Sequence, residues 1–228
     1  VTDEPALEAA DPATAAPTAA PTPPPSRAGG GKRVRKNPDA RRAEIVTAAR
    51  EVFADQGYAS VALADVAAEL GVSKALLYHY FPGGRPQLFV SVMEGLRAEL
   101  QQRLRQAARV PFSVQPRLNH LLGGLFAFFD ENPSAYRLLF RDPWASGDEM
   151  VEASALATRA QIAAELAAVM APSGLPAEDL VAASSGTLGY ALANVELCLA
   201  GQLAPERAWR MTCDQTTNLF GGERATEQ

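Results

Sequence analysis

The twenty residues from Ala62 to Phe81, ALADVAAELGVSKALLYHYF, constrain this chain more than any other stretch, because they read as two short helices joined by a glycine turn. Leu63, Val66, Ala67 and Leu70 recur at the three- and four-residue steps of one helical face, and Gly71, a residue that tolerates positive φ, ends the run at Leu70 or Gly71. Ser73 stands where a side-chain oxygen can cap the next helix, with Val72 before it as the apolar residue that packs back. Along that second helix Leu77 and Phe81, four apart, face inward. Lys74, Ala75, Tyr78 and His79 share the opposite face.

The outer face carries the chemistry of a nucleic-acid reader. Lys74 can pair with a phosphate or a guanine edge, Tyr78 and His79 can hydrogen-bond phosphate oxygens, and their rings can meet thymine methyls. A merely solvated helix face accounts for Lys74 but leaves an exposed Tyr-His pair without a purpose. Upstream, Lys32, Arg33, Arg35 and Lys36 form a basic arm able to neutralise phosphates. Asn37-Pro38 then starts a helix, Asp39 to Gln56, with Ile45, Ala48, Ala49, Val52 and Phe53 on one stripe and Gly57 as its stop.

From about Pro38 to Met93, and above all over GYASVALADVAAELGVSKALLYHYFPGGRPQLF, the chain resembles the DNA-binding domain of the TetR family of transcriptional regulators. The resemblance implies three helices in that domain, the third in the major groove, and a fourth leading to an all-helical domain that binds a small molecule and dimerises. Carried over by motif position, it implies Ser73, Lys74, Ala75, Tyr78, His79 and Tyr80 as recognition-helix contacts to double-stranded operator DNA. It implies Arg85 as a phosphate contact, in place of the more usual lysine; Lys36 of the basic arm is expected, from its charge and position, to be a further DNA contact. Two positions depart from the family pattern. Ala62 replaces the usual Thr or Ser, so the cap must come from elsewhere, with Ser60 the nearest candidate; Leu76 offers a base only apolar contact.

Net charge is −5, which looks wrong for a DNA binder until it is divided. Residues 1–31 carry one Arg and four acids, residues 32–90 carry nine Lys/Arg and six acids, and residues 91–228 carry eleven Arg and sixteen acids. The positive excess falls where phosphate would lie. The first 31 residues are Ala, Pro and Thr with almost no large apolar side chains, and are expected to be a disordered tail. No secretory signal and no apolar run of about 20 residues occurs, so a soluble, cytoplasmic protein is expected.

Beyond Arg85 the periodicity is helical and the punctuation is proline. Gln87 to Arg109 places Leu88, Phe89, Val92, Met93, Leu96, Leu100 and Leu104 on one face. Further helices are expected up to Glu131, over Ser134 to Phe140 as a short one, and at about Gly147 to Met170, Pro176 to Ala200 and Pro205 to Phe220. No alternating strand pattern appears. The expected fold is all-α, about nine helices, with a helix-turn-helix domain and its arm at 32–84, a helical regulatory and dimerisation domain at 85–222, and a flexible end at 223–228.

Pro176 to Ala200 mixes large apolar residues with Ser184, Ser185, Gly186 and Gly189, a surface that admits another backbone closely. The resemblance implies a four-helix dimer interface from the last two helices. The physics agrees, since one recognition helix reads too few bases whereas a two-fold homodimer places two on one duplex face. For an effector, Phe126, Phe128, Phe129, Tyr136, Trp144, Met150, Tyr190 and Asn194 could line a pocket for an apolar or aromatic small molecule. Arg137 and Arg141 could hold an anion, but Asp130, Glu131 and Asp142 are near enough to pair with them. The reading is a ligand-responsive regulator, a repressor released from its operator by an effector that binds two conformations unequally, with Leu88 to Leu104 transmitting the change.

Other classes fit less well. His79 and His120 lie far apart with no nucleophile or metal motif, so neither an enzyme, a metal site nor a cofactor is expected. Cys198 and Cys213 could make a redox-responsive regulator if adjacent helices brought them together, yet neither has a basic neighbour to lower its pKa. A non-enzymatic helical scaffold is the remaining alternative.

Overall fold

The computed structural model describes residues 37–111 and 113–221, the last three by backbone alone. Among the described residues the chain forms nine α-helices and no strand, the all-α fold that the periodicity implied. The expected disordered tail, the basic arm including Lys36, and the flexible end at 223–228 lie outside the described residues.

Helix α1, Pro38–Gln56, begins where Asn37 Oδ1 accepts the Asp39 N–H at 3.1 Å, with Pro38 at a position whose missing N–H had no partner to lose. It ends at Gly57, whose φ of 79° few other residues adopt readily. Helices α2, Leu63–Glu69, and α3, Lys74–Tyr80, follow, then the long α4, Gly84–Ala107. Ile45, Ala49, Val52 and Phe53 of α1 are buried with Leu63, Val66, Leu77 and Phe81. Phe53 and Phe89 meet edge to face with centroids 4.9 Å apart, and Tyr58 lies 4.6 Å from Phe89, a ring cluster that fixes α1 on α4.

Every residue of the expected α4 face, Leu88 to Leu104, is buried. The helix starts earlier than Gln87, because Gly84, Arg85 and Pro86 give no apolar period to read; Pro86 is tolerated in the first turn, where its missing N–H had no partner. Beyond it come α5 (Val114–Glu131), α6 (Pro133–Tyr136), α7 (Glu149–Met170), α8 (Ala177–Leu199) and α9 (Pro205–Gly221). Helix α4 packs on α1, α5 and α7; α8 lies against α7 and α9, and α9 against α5. Asn194 Nδ2 donates to Thr212 Oγ1 at 3.1 Å between α8 and α9, and the Trp209 indole N–H donates to the Asn119 carbonyl at 3.1 Å between α9 and α5.

One expectation needs correction. The short helix does not run regularly from Ser134 to Phe140: α6 makes a single turn and passes into a π-helical turn, Arg137–Arg141, and then a 3-10 turn, Asp142–Ala145. Pro143 lacks an N–H and its ring would strike the carbonyl four residues back, so an α-helical register cannot continue through it. The Asp142 N–H instead reaches the Arg137 carbonyl, the wider five-residue step of a π turn, and Leu138, Leu139 and Phe140 are all buried within it.

Candidate nucleic-acid interface

The turn between α2 and α3 is set by backbone hydrogen bonds. Val72 N–H reaches the Ala67 carbonyl at 2.9 Å and Gly71 N–H the Ala68 carbonyl at 3.0 Å, the Schellman pattern, with Gly71 at φ 61°. Helix α3 starts where the Ser73 hydroxyl accepts the Leu76 N–H at 3.2 Å, as its sequence position foretold. At α2 the cap departs from expectation. Alanine has no side-chain acceptor, and what remains of a capping box is its reciprocal half: Asp65 Oδ2 accepts the Ala62 N–H at 2.7 Å. This bond ties the Ala62 N–H and is not the N-cap acceptor expected from Ser60, for which α2 shows no side-chain hydrogen bond; the signal that could have found it is an acid three residues after the cap.

The two sides of α3 divide as their spacing implied. Leu77 and Phe81 are fully buried, whereas Ser73, Lys74, Ala75, Tyr78 and His79 are exposed, Tyr78 at 46%. The Lys74 ammonium stands 5.9 Å from the Tyr78 ring centroid, and His79 meets Tyr80 edge-on at 5.2 Å. Tyr80 is half-buried against the core, so its ring already serves the fold. Lys74, Tyr78 and Arg85 share the wall of a shallow open groove of about 380 Å³ with residues 59–63. A groove this open, lined by a cation, a phenol and a guanidinium, suits a sugar-phosphate strand rather than an enclosed small molecule.

Arg85 is folded back over the turn ahead of α2. Its Nη1 lies 3.3–3.4 Å from the carbonyls of Tyr58, Ala59 and Val61, and its guanidinium stacks 4.4 Å above the Tyr58 ring. Burial raises the Tyr58 phenol pKa and the Arg85 charge opposes it. The residue expected to hold phosphate thus also holds the turn on which the helix-turn-helix begins.

The expected effector residues scatter. Phe126 and Phe129 line a small cleft of about 40 Å³ with Asp130, Val195, Cys198, Leu199 and Pro205. Tyr136 lines a neighbouring cleft, its phenol pKa pushed up to about 12 chiefly by burial and then by Glu196, to which its hydroxyl donates at 3.3 Å. Asn194 is buried and committed to Thr212; Tyr190 is half-buried and lines neither cleft. Trp144 and Met150 are 48% and 50% exposed, within the 3-10 turn and at the start of α7, and line neither of these two clefts. Burial pushes Cys213 up to about 11, with Asp214 adding to it, and raises Cys198 as well, with Asp130 adding to that shift; both thiols are held away from thiolate. Among the described residues no cluster of three or more His, Cys, Asp or Glu could hold a metal ion, and no helix is long and apolar enough to cross a membrane.

A helix-turn-helix whose second helix shows a cation and aromatic side chains to solvent, seated on an all-helical body, defines a DNA-reading protein. Residues 45–92 match the family described as bacterial regulatory proteins, tetR family. The chain is 31% identical over 175 residues to the HTH-type transcriptional activator FasR of Mycolicibacterium smegmatis, covering 73% of this chain and 80% of that protein. A shorter match, 42% over 67 residues, is to the HTH-type transcriptional regulator BetI of Brucella anthropi, 29% of this chain and 34% of that one. The fold superposes on a TetR-like regulator from Rhodococcus sp. RHA1 with a TM-score of 0.64 at 20% identity, covering 80% of this chain and 96% of that one. It superposes on a transcriptional regulator from Pseudomonas aeruginosa PAO1 with a TM-score of 0.68 at 18% identity, covering 85% and 97%. The chain belongs to the TetR family of transcriptional regulators.

Proposed function

We propose that this regulator grips operator DNA as a homodimer and is controlled by a small apolar or aromatic effector. The observation that carries the reading is the exposed Lys74–Tyr78 face beside the open groove. Ser73, Lys74, Ala75, Tyr78 and His79 are the residues we assign to the major groove, with Leu76 giving a thymine methyl apolar contact. Tyr80 and Arg85 divide their roles between phosphate and the fold, and Lys36 reaches phosphate from the arm.

Residues 32–84 form the reading domain and 85–222 the regulatory domain, with α4 crossing between them. Dimerisation through α8 and α9 is supported by Val181 and Leu197, exposed on α8, and by Gly186 and Gly189, where an added Cβ would meet nothing within 4 Å in the single chain. A face of small residues left open in one protomer is where a second backbone fits. The cleft walled by Phe126, Phe129, Val195 and Leu199 supports an apolar effector. An effector bound there releases DNA if it favours a conformation whose two α3 helices no longer match the half-sites. Release gives repression where the operator overlaps a promoter; the relative from M. smegmatis is named an activator, and operator position decides between the two. The activity is binding rather than catalysis, and acting on chromosomal DNA places the protein in the cytoplasm.

Selection of duplexes from a random-sequence pool by the full chain tests the reading. An inverted repeat is expected, its half-site centres about 10 base pairs or a multiple apart. A pool with no enriched duplex, or an enriched motif without two-fold symmetry, contradicts it.

A further inference from the structure

The turn from Gly57 to Ala62 joins α1 to the helix-turn-helix and has no regular structure of its own. Much of its backbone is held by side chains from elsewhere. Arg137, on the π-helical turn, donates through Nη2 to the Phe53 carbonyl at 2.9 Å and to the Ala54 carbonyl, in the last turn of α1. That last turn has no basic residue of its own, and a cation there complements the negative end of the helix dipole. Asp142, where the π turn ends, accepts the Tyr58 N–H at 3.0 Å and pairs with Arg137 Nε at 3.7 Å. Tyr58 in turn stacks on Arg85, which reaches the carbonyls of Tyr58, Ala59 and Val61, and Asp65 holds Ala62.

We propose that Arg137 and Asp142 are positioning residues for DNA reading: together they clasp the end of α1 and the start of the following turn, and so fix the pose of α2 and α3 from the regulatory part of the chain. The clasp is placed to respond to ligand. It borders a cleft of about 440 Å³ lined by Ala54, Tyr136, Arg137, Glu196 and Leu199, and Leu199 also walls the apolar cleft of Phe126 and Phe129. It stands on a π turn between Pro133 and Pro143, a register break of the kind that recurs at functional sites.

The inference rests on the DNA-binding reading, and its test separates the two. Full-length wild type, Arg137→Ala, Asp142→Asn and the double variant are titrated with a duplex selected by the wild type and with a random-sequence duplex at low salt, and exchange of the Tyr58 amide is followed. Selected-duplex affinity is expected to fall about tenfold or more in each single variant, with losses that do not add in the double variant. Random-duplex binding, which reads phosphate contacts and not pose, is expected to stay within about twofold. Tyr58 exchange is expected to accelerate. If Arg137→Ala loses its helical signal, Arg137→Lys keeps the charge but not the fork of donors and is expected to lose about threefold in selected-duplex affinity. A wild type that enriches no duplex overturns the DNA-binding reading and this inference with it. A wild type that enriches one, with variants that bind it as tightly while Tyr58 exchange accelerates or with Tyr58 exchange unchanged, overturns this inference alone.

Discussion

Lys74 and Tyr78 owe their exposure to Leu77 and Phe81, whose burial turns the other side of α3 to solvent. That division was legible from spacing alone, because residues four apart must share a helical face. Other residues were not legible, for reasons that differ. Arg85 matched a motif position, but its guanidinium also spans three backbone carbonyls whose arrangement depends on how the preceding turn folds. Trp144 and Met150 are aromatic or apolar by type, yet they stand in the 3-10 turn around Pro143 and in the first turn of α7, and type does not encode direction there. Cys213 belongs at this scale too. With its thiol pKa pushed from 9.0 up to about 11, chiefly by burial, the folded state holds the proton more tightly than the unfolded chain. Its contribution to stability is therefore complete below pH 9 and is lost as pH rises to about 11. Urea midpoints measured from pH 8 to pH 11 are expected to fall less steeply for Cys213→Ala than for the wild type; identical slopes would refute the assignment.

Among the elements, α1, α3 and α8 begin and end, and α5 ends, within a residue or two of their sequence signals, since Asn-Pro, Ser, Gly and Pro act through local backbone chemistry that needs no tertiary partner. The π turn at Arg137–Arg141 was not readable: Asp142-Pro143 announces that an α-helix cannot continue, but not that the chain will widen instead of breaking. Helix α8 carries the prediction at this scale. Gly186 has open space where a Cβ would go, so Gly186→Leu is expected to leave the circular dichroism and protomer fold intact while shifting sedimentation from dimer to monomer. A variant that sediments as a dimer at the wild-type concentration dependence would remove α8 from the interface.

Over the whole molecule, charge and architecture serve one purpose. The net −5 is compatible with DNA binding because residues 32–90 hold nine Lys/Arg against six acids, while the acidic excess lies in the two flanking regions. Helix α4 joins these parts mechanically, packing on α1 at one end and on α5 and α7 along its length, and the Arg137–Asp142 clasp is a second, shorter route between them.

Duplex binding by a Lys74→Ala, Tyr78→Ala double variant decides whether the exposed face of α3 reads DNA. Both side chains are exposed and support no core contact, so the variant is expected to melt with the wild type. Its affinity for the duplex selected by the wild type is expected to fall about a hundredfold, with a shallower salt dependence because one phosphate-pairing charge is gone. A folded double variant that binds that duplex as tightly as the wild type, with the same salt dependence, would show that this face of α3 does not read DNA.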